Sequence, residues 1–291
     1  MSALENINIT EKTVVVIGGP TASGKSGLAL EIAKKYNGVV INADAMQVYQ
    51  SIPIITAVPS PEDKKQVLHL LYEIYPPSQR GNVADWLNKA TTAIRDAWAE
   101  KKLPVVVGGT GFYIESLIKG VSPIPETNSE VKQQVADIIG QKGAEGAYDY
   151  LQKIDASGAQ MVKPQDTTRI RRALEIKLDT GQSISEWFQK PLVKTLSEAD
   201  FAMIKLLPSL SELEEKCSRR FDIMMEQGAL DEVKNLLDRH LSDDLPAMKA
   251  IGVPELGDYI RGKTDLNQAI SLAKLHTRQY AKRQLTWFRN R

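Results

Sequence analysis

The residues Gly19-Pro20-Thr21-Ala22-Ser23-Gly24-Lys25-Ser26 match the pattern G-x-x-x-x-G-K-[ST] at every fixed position. The chemistry such a run serves is phosphate binding. Its glycines let successive backbone N–H groups turn inward around phosphate oxygens, and a helix starting there adds its partial positive charge. Lys25 is placed to neutralise terminal phosphates, and the Ser26 hydroxyl to ligate Mg²⁺. A second candidate is Asp44 in Asn42-Ala43-Asp44-Ala45-Met46-Gln47, suited either to base chemistry and metal contact or to capping a helix. Gly108-Gly109-Thr110-Gly111 offers a hydroxyl on flexible backbone, or simply a turn. His69, His240 and His276 have no metal-ligand spacing. The single cysteine, Cys217, excludes an internal disulfide and a cysteine-based zinc site, and reads as packing in a helix.

These groups need a scaffold that brings them together, and the surrounding pattern describes one. Val14-Val15-Val16-Ile17 is a β-branched run stopped by Gly18-Gly19, as expected for a buried parallel strand. Leu28, Ala29, Ile32 and Ala33 recur at helical spacing, with Gly38 closing the helix. Val39-Val40-Ile41 is a second strand, and the apolar period over Val83 to Lys101 predicts a helix. Pro104-Val105-Val106-Val107 is a third strand, ended by Gly108-Gly109. Strands alternating with helices indicate βαβ units in a doubly wound α/β fold. In such a sheet the carboxyl ends of the strands line the ligand crevice, which sets Asp44 and Thr110 at the rim occupied by the glycine-rich loop. Near Ser122-Pro123-Ile124-Pro125 the pattern turns purely helical, predicting an all-helical insertion over 122–196 within a core made of 1–121 and 197–291. Phe201 to Leu206 returns as a strand, and a long helical segment runs from Asp265 to Arg291.

The chain has 291 residues, 42% hydrophobic and 25% charged, which excludes disordered, collagenous and coiled-coil classes. No apolar run approaches the roughly 18–20 residues that cross a bilayer, and Met1 to Thr10 lacks the apolar centre of a signal peptide. A cytoplasmic monomer is the expectation. The net charge of +1 hides local clusters. Lys274, Arg278, Lys282, Arg283, Arg289 and Arg291 lie in one helical segment without an acid, and Arg278, Lys282 and Arg289 fall on roughly one face. Such a stripe suits an RNA backbone or a solvated helix surface. Tyr280, Trp287 and Phe288 interleave with it, available for base stacking or for core packing. Lys163, Arg169, Arg171, Arg172 and Lys177 form a second cluster, diluted by Asp166 and Glu175.

Three of these motifs, Gly19 to Ser26, Asp44-Ala45-Met46-Gln47-Val48-Tyr49 and Gly108-Gly109-Thr110-Gly111-Phe112-Tyr113, stand in an order and spacing that resembles the tRNA dimethylallyltransferases. The likeness continues through Arg169-Ile170-Arg171-Arg172-Ala173-Leu174-Glu175, Lys249-Ala250-Ile251-Gly252 and the stretch Thr277 to Arg289. The resemblance implies a P-loop NTPase-like parallel sheet with a helical insertion. It also implies transfer of a dimethylallyl group from dimethylallyl diphosphate to N6 of an adenosine beside the anticodon of tRNA. By the same resemblance Gly19 to Ser26 hold the diphosphate with Mg²⁺ on Ser26, Asp44 takes the N6 proton, and Thr110 helps hold the leaving group. The tRNA contacts it implies are Asp44, Ala45, Met46, Gln47, Lys132, Thr168, Arg169, Arg171, Arg172, Lys249, Gly252, Arg278, Lys282 and Arg283. The chain departs from the family pattern at Ala45, where serine is usual, and at Val58, where a lysine is lost. It departs again at Val253-Pro254 in place of Tyr-Lys, and at Lys163 and Gln165 in place of His and Asn. Competing readings are an adenylate isopentenyltransferase acting on a free nucleotide, a P-loop small-molecule kinase, and an RNA-binding protein without turnover.

Overall fold

The computed structural model describes residues 9–291, so residues 1–8 of the stretch read for a signal peptide lie outside the described residues. Strand β1 (Thr13–Gly18) leads through the glycine-rich loop into helix α1 (Lys25–Lys35), followed by β2 (Gly38–Asn42), the short helices α2 (Pro53–Thr56) and α3 (Pro61–Gln66), and β3 (His69–Leu70). Helix α4 (Val83–Ala99) and β4 (Leu103–Gly108) come next, then α5 (Gly111–Lys119), α6 (Ser129–Ile154), α7 (Ala156–Ala159), α8 (Thr167–Thr180) and α9 (Ile184–Gln189). The chain finishes with β5 (Asp200–Lys205), α10 (Leu210–Glu226), α11 (Ala229–Leu237), α12 (Val253–Ile260) and α13 (Leu266–Asn290).

It forms two compact units, one of the residues up to Ile118 with Thr195–Arg291, the other Lys119–Lys194. The first holds a five-stranded sheet in the order β3-β2-β4-β1-β5, with every pairing parallel. Its central strands are buried along their whole length, because Val14 to Ile17 and Val105 to Val107 present branched apolar side chains to both faces. The connection leaving β1 crosses β4 to reach β2, whereas the connection leaving β4 crosses β1 to reach β5. Right-handed crossovers running in opposite directions put their helices on opposite faces, so a crevice opens at the carboxyl ends of β1 and β4. The loops at those two ends are the glycine-rich run and Gly108 to Gly111.

Two sequence expectations need correction. The helix after the loop stops at Lys35, and Asn37 turns the chain with φ of 50°, so Gly38 opens β2 instead of closing the helix. Strand β3 escaped the pattern because two residues carry no periodicity. At Gly108 the sheet and the Asp44 loop approach so closely that an added Cβ would lie 2.0 Å from Ala43 O. Gly108→Ala is expected to lower unfolding free energy by about 2 kcal/mol or more, because neither backbone can yield cheaply. Urea denaturation with an unchanged midpoint would contradict this.

In the second unit α6, α7, α8 and α9 bury Val135, Ala147, Leu151, Ile170, Ala173, Leu174, Ile176 and Ile184 among themselves. Helix α6 breaks at Gly143 (φ 67°, ψ −174°), and an antiparallel bridge between Val121 and Val193 closes the unit. Arg172 donates to Thr127 Oγ1 at 2.8 Å, Arg169 pairs with Asp166, and Lys132 with Glu126. Thr168 and Arg169 are exposed on α8, and Arg171 is partly buried there.

Candidate active site

Gly24 adopts φ 90° at the start of α1 and offers no side-chain cap. The first N–H groups of that 11-residue helix therefore have no side-chain cap among the described residues, which is the condition for an anion site. Ser23 Oγ is buried in the loop and has no hydrogen-bond partner among the described residues. Such a hydroxyl beside N–H groups can donate to an acceptor such as a phosphate oxygen. Lys25 Nζ folds back onto Pro20 O at 2.7 Å. Burial pushes its pKa down to about 8, the neighbouring Arg220 adding to the effect and Asp44 opposing it. The loop, Asp44, Tyr72, Lys216 and Arg220 line a cavity of about 920 Å³.

Asp44 follows β2, on a turn built by its own side chain. Oδ1 accepts from Met46 N at 2.9 Å, and Asn42, itself fully buried, takes Asp44 N on its Oδ1 and donates to Asp44 O. Asp44 Oδ2 has no hydrogen-bond partner among the described residues and is turned toward Gly109. No helix follows Asp44, so the capping alternative read from the sequence is not what the structure shows: one oxygen shapes a turn, and the other is left available. Thr110 Oγ1 accepts from Ala45 N at 2.9 Å, so this hydroxyl braces the Asp44 turn and does not line the phosphate cavity. Gln47 spends its amide on Thr56 O and Ala57 O at 2.9 and 2.7 Å, holding the strap that contains Val58.

A second cavity, of about 300 Å³, adjoins the first and shares Thr21, Asp44, Thr56, Arg220 and Met224 with it. Its walls include Met46, Ile55, Phe221, Ile251 and Cys217, with Lys249, Thr277, Tyr280 and Arg283 around them. Both cavities have mixed polar and apolar walls, and Asp44 and Arg220 line both of them. Gly252 stands just behind that wall, its N–H held by Glu255 Oε2 at 2.7 Å, while Val253 is buried and Pro254 sits in the first turn of α12.

Two residues of this site were not singled out from the sequence. Arg220 reaches from α10 to Thr21 Oγ1. The signal was its place on the apolar stripe Leu213, Cys217, Phe221 and Met224, where an arginine demands a reason. Gln284 is buried on α13 between Ala281 and Phe288. Its Oε1 accepts from Thr21 N and its Nε2 donates to Gly109 O, both at 2.8 Å, tying the phosphate loop to the loop after β4. Among the α13 aromatics, Phe288 is buried and stacks edge-on with Trp287, whereas Tyr280 faces the second cavity. The cationic stripe is smaller than the sequence suggested. Lys274, Arg278 and Arg291 pair with Asp222, Glu214 and Glu115, leaving Lys282, Arg283 and Arg289 without an ion pair among the described residues.

Sheet order, loop and facing carboxylate define a P-loop protein of the parallel α/β class. Residues 47–291 match the model of the IPP transferase family. The tRNA dimethylallyltransferase of Zymomonas mobilis is 43% identical over 95% of this chain and 88% of its own length, and that of Granulibacter bethesdensis is 41% identical over 97% and 88%. Among solved structures, the tRNA isopentenylpyrophosphate transferase of Bacillus halodurans superposes with a TM-score of 0.68 at 37% identity, covering 97% of this chain and 88% of that one. A eukaryotic dimethylallyltransferase acting on tRNA gives a TM-score of 0.83 at 32% identity, covering 95% and 69%. The chain belongs to the IPP transferase family.

Proposed function

We propose that this protein transfers the dimethylallyl group of dimethylallyl diphosphate to N6 of the adenosine beside the anticodon in tRNA, releasing diphosphate. The observation that supports it most is the meeting of the two cavities. A diphosphate held by the loop N–H groups, Ser23, Lys25 and Arg220 in the larger cavity directs C1 of its prenyl group toward the boundary with the smaller one, where Asp44 lines both. An exocyclic adenine amine is a weak nucleophile because its lone pair is delocalised into the ring. Asp44 accepts a hydrogen bond from N6 and receives its proton as nitrogen bonds to C1 of the prenyl group. The C1–O bond breaks, its electron pair leaves on the diphosphate, and Lys25 and Arg220 stabilise the growing negative charge. Thr110 keeps the Ala45 amide in place, and with it the turn that presents Asp44.

Among the described residues no group of three or more His, Cys, Asp or Glu side chains could hold a metal. Ser26, exposed beside Lys25 on the cavity wall, fits Mg²⁺ that arrives with the diphosphate and keeps mostly phosphate and water ligands. Bound there, Mg²⁺ supplies charge neutralisation to the leaving group. The target base leaves its stack to reach a recessed carboxylate, with Met46, Lys249, Tyr280 and Arg283 around it. Lys282, Arg283 and Arg289 face the RNA backbone, and Lys132, Thr168, Arg169, Arg171 and Arg172 offer a further basic surface on the helical unit.

Incubation with unmodified tRNA, labelled dimethylallyl diphosphate and Mg²⁺, then digestion to nucleosides, tests the reading. N6-dimethylallyladenosine is the expected product. Label on free AMP alone would favour the nucleotide-modifying alternative, and phosphoryl transfer from ATP without prenylation a kinase. Loss of Lys282 and Arg283 together should flatten the dependence of log K for tRNA on log salt by about one to two units of slope, since each phosphate contact contributes about 0.7–0.9. An unaltered slope in filter binding would remove this patch from the RNA interface.

A further inference from the structure

Resting on the reading of the larger cavity as the diphosphate site, we infer that Tyr72 is a donor-binding residue whose hydroxyl donates a hydrogen bond to a diphosphate oxygen. Tyr72 lines the larger cavity with Lys25, Asp44 and Arg220, and is absent from the walls of the smaller, base-side cavity. Its ring is partly buried against the core cluster of the sheet and lies tilted against the His69 ring, with centroids 5.8 Å apart. The hydroxyl on that ring makes no hydrogen bond among the described residues, although the walls around it are charged and polar.

The backbone around Tyr72 is held in an unusual way. Leu71 and Glu73 both adopt left-handed conformations, with φ of 64° and 53°. Non-glycine residues keep such angles only where the surroundings over-determine them, and they gather at sites where a side chain must be aimed. The restraints here come from the Asp44 turn. Asn42 Nδ2 donates to Leu71 O at 3.0 Å while also holding Asp44, and Glu73 N donates to Gln47 O at 3.0 Å. Lys64 pairs with Glu73 at 2.9 Å, and both also line the larger cavity. The segment carrying Tyr72 is therefore fastened on both sides to the loop that presents the base-abstracting carboxylate.

Chemistry selects the ligand. The cavity is lined by Lys25, Lys216 and Arg220, by Lys64 paired with Glu73, and by Asp44 and Asp63. Beside the glycine-rich loop with its helix N-terminus, a neutral phenol serves an acceptor-rich anion as one further donor. Burial, then the charge of Asp44, raises the Tyr72 pKa, so the group keeps its proton throughout the neutral range. Asp44 and Tyr72 make no hydrogen bond to each other, which leaves the proton for the ligand.

The test compares the full-length wild type, Tyr72→Phe and Lys25→Ala by calorimetric titration with dimethylallyl diphosphate and with inorganic diphosphate, together with tRNA filter binding and thermal melting. Tyr72→Phe removes one oxygen and keeps the ring. Expected are about tenfold or weaker binding of both diphosphates, as for a hydrogen bond to a charged group, with a raised KM for the donor. tRNA affinity and melting temperature should stay unchanged. Undiminished diphosphate binding by Tyr72→Phe, beside a clear loss in Lys25→Ala, would overturn this inference alone. So would a loss confined to tRNA, or a lowered melting temperature whose rise on adding diphosphate matches that of wild type. Failure of the wild type to bind either diphosphate would overturn the reading of the cavity itself.

Discussion

Asp44→Asn is expected to lower single-turnover prenyl transfer by about a hundredfold or more, within the range a general base supplies. Asparagine is the informative replacement because Asp44 Oδ1 accepts from Met46 N, a bond its amide oxygen can keep. The turn survives, and what disappears is the negative charge and the proton acceptor at Oδ2. Donor and tRNA affinities should be unaffected or, for the diphosphate, slightly higher, since an anion facing the cavity has been removed. Asp44→Ala should lose a similar factor in rate and some stability as well, because the turn loses its acceptor. A rate within a few-fold of wild type for Asp44→Asn would refute the assignment of the base.

The second large effect concerns Lys25. Its ammonium contacts the loop carbonyl of Pro20 at 2.7 Å and has a pKa pushed down to about 8 by burial. Lys25→Ala should weaken diphosphate binding by about ten- to a hundredfold. Turnover should fall further, because negative charge on the leaving group is greatest in the transition state. The shift also predicts a pH dependence with a definite sign. Below about pH 8 the free site holds a protonated lysine and binds the anion without proton uptake. Above it the lysine is neutral, binding must take up a proton, and affinity falls by up to about tenfold per pH unit, as for one linked proton. Titrations in two buffers of different ionisation enthalpy would detect that proton near pH 9. Diphosphate affinity that stays flat from pH 7 to 9.5, or a Lys25→Ala variant with the wild-type profile, would remove Lys25 from the site.

The contrast between these residues and Arg220 explains what a single sequence can reveal. The phosphate cradle is eight consecutive residues, and its geometry follows from local rules: glycines permit the turn, and the helix start supplies the N–H groups. Strands β1, β2 and β4 were equally legible, because branched runs bounded by glycines have few alternatives in an α/β chain. Asp44 was legible only as a rim residue. That one oxygen shapes the turn while the other stays free depends on Asn42, Met46 and the approach of Gly108 to Ala43.

Arg220 and Gln284 reach Thr21 from 199 and 263 residues away in sequence. Their neighbours in the chain describe ordinary amphipathic helices. The charge count of α13 misled for the same reason, since Asp222, Glu214 and Glu115 come from other elements and neutralise half of the six cations. By itself the sequence determined a glycine-rich loop between a strand and a helix of a parallel sheet, because those dihedrals and hydrogen bonds are set within a few residues. Only the tertiary structure decided which distant side chains join that loop, because packing of whole helices against the sheet selects them, and no local pattern encodes where a helix will dock.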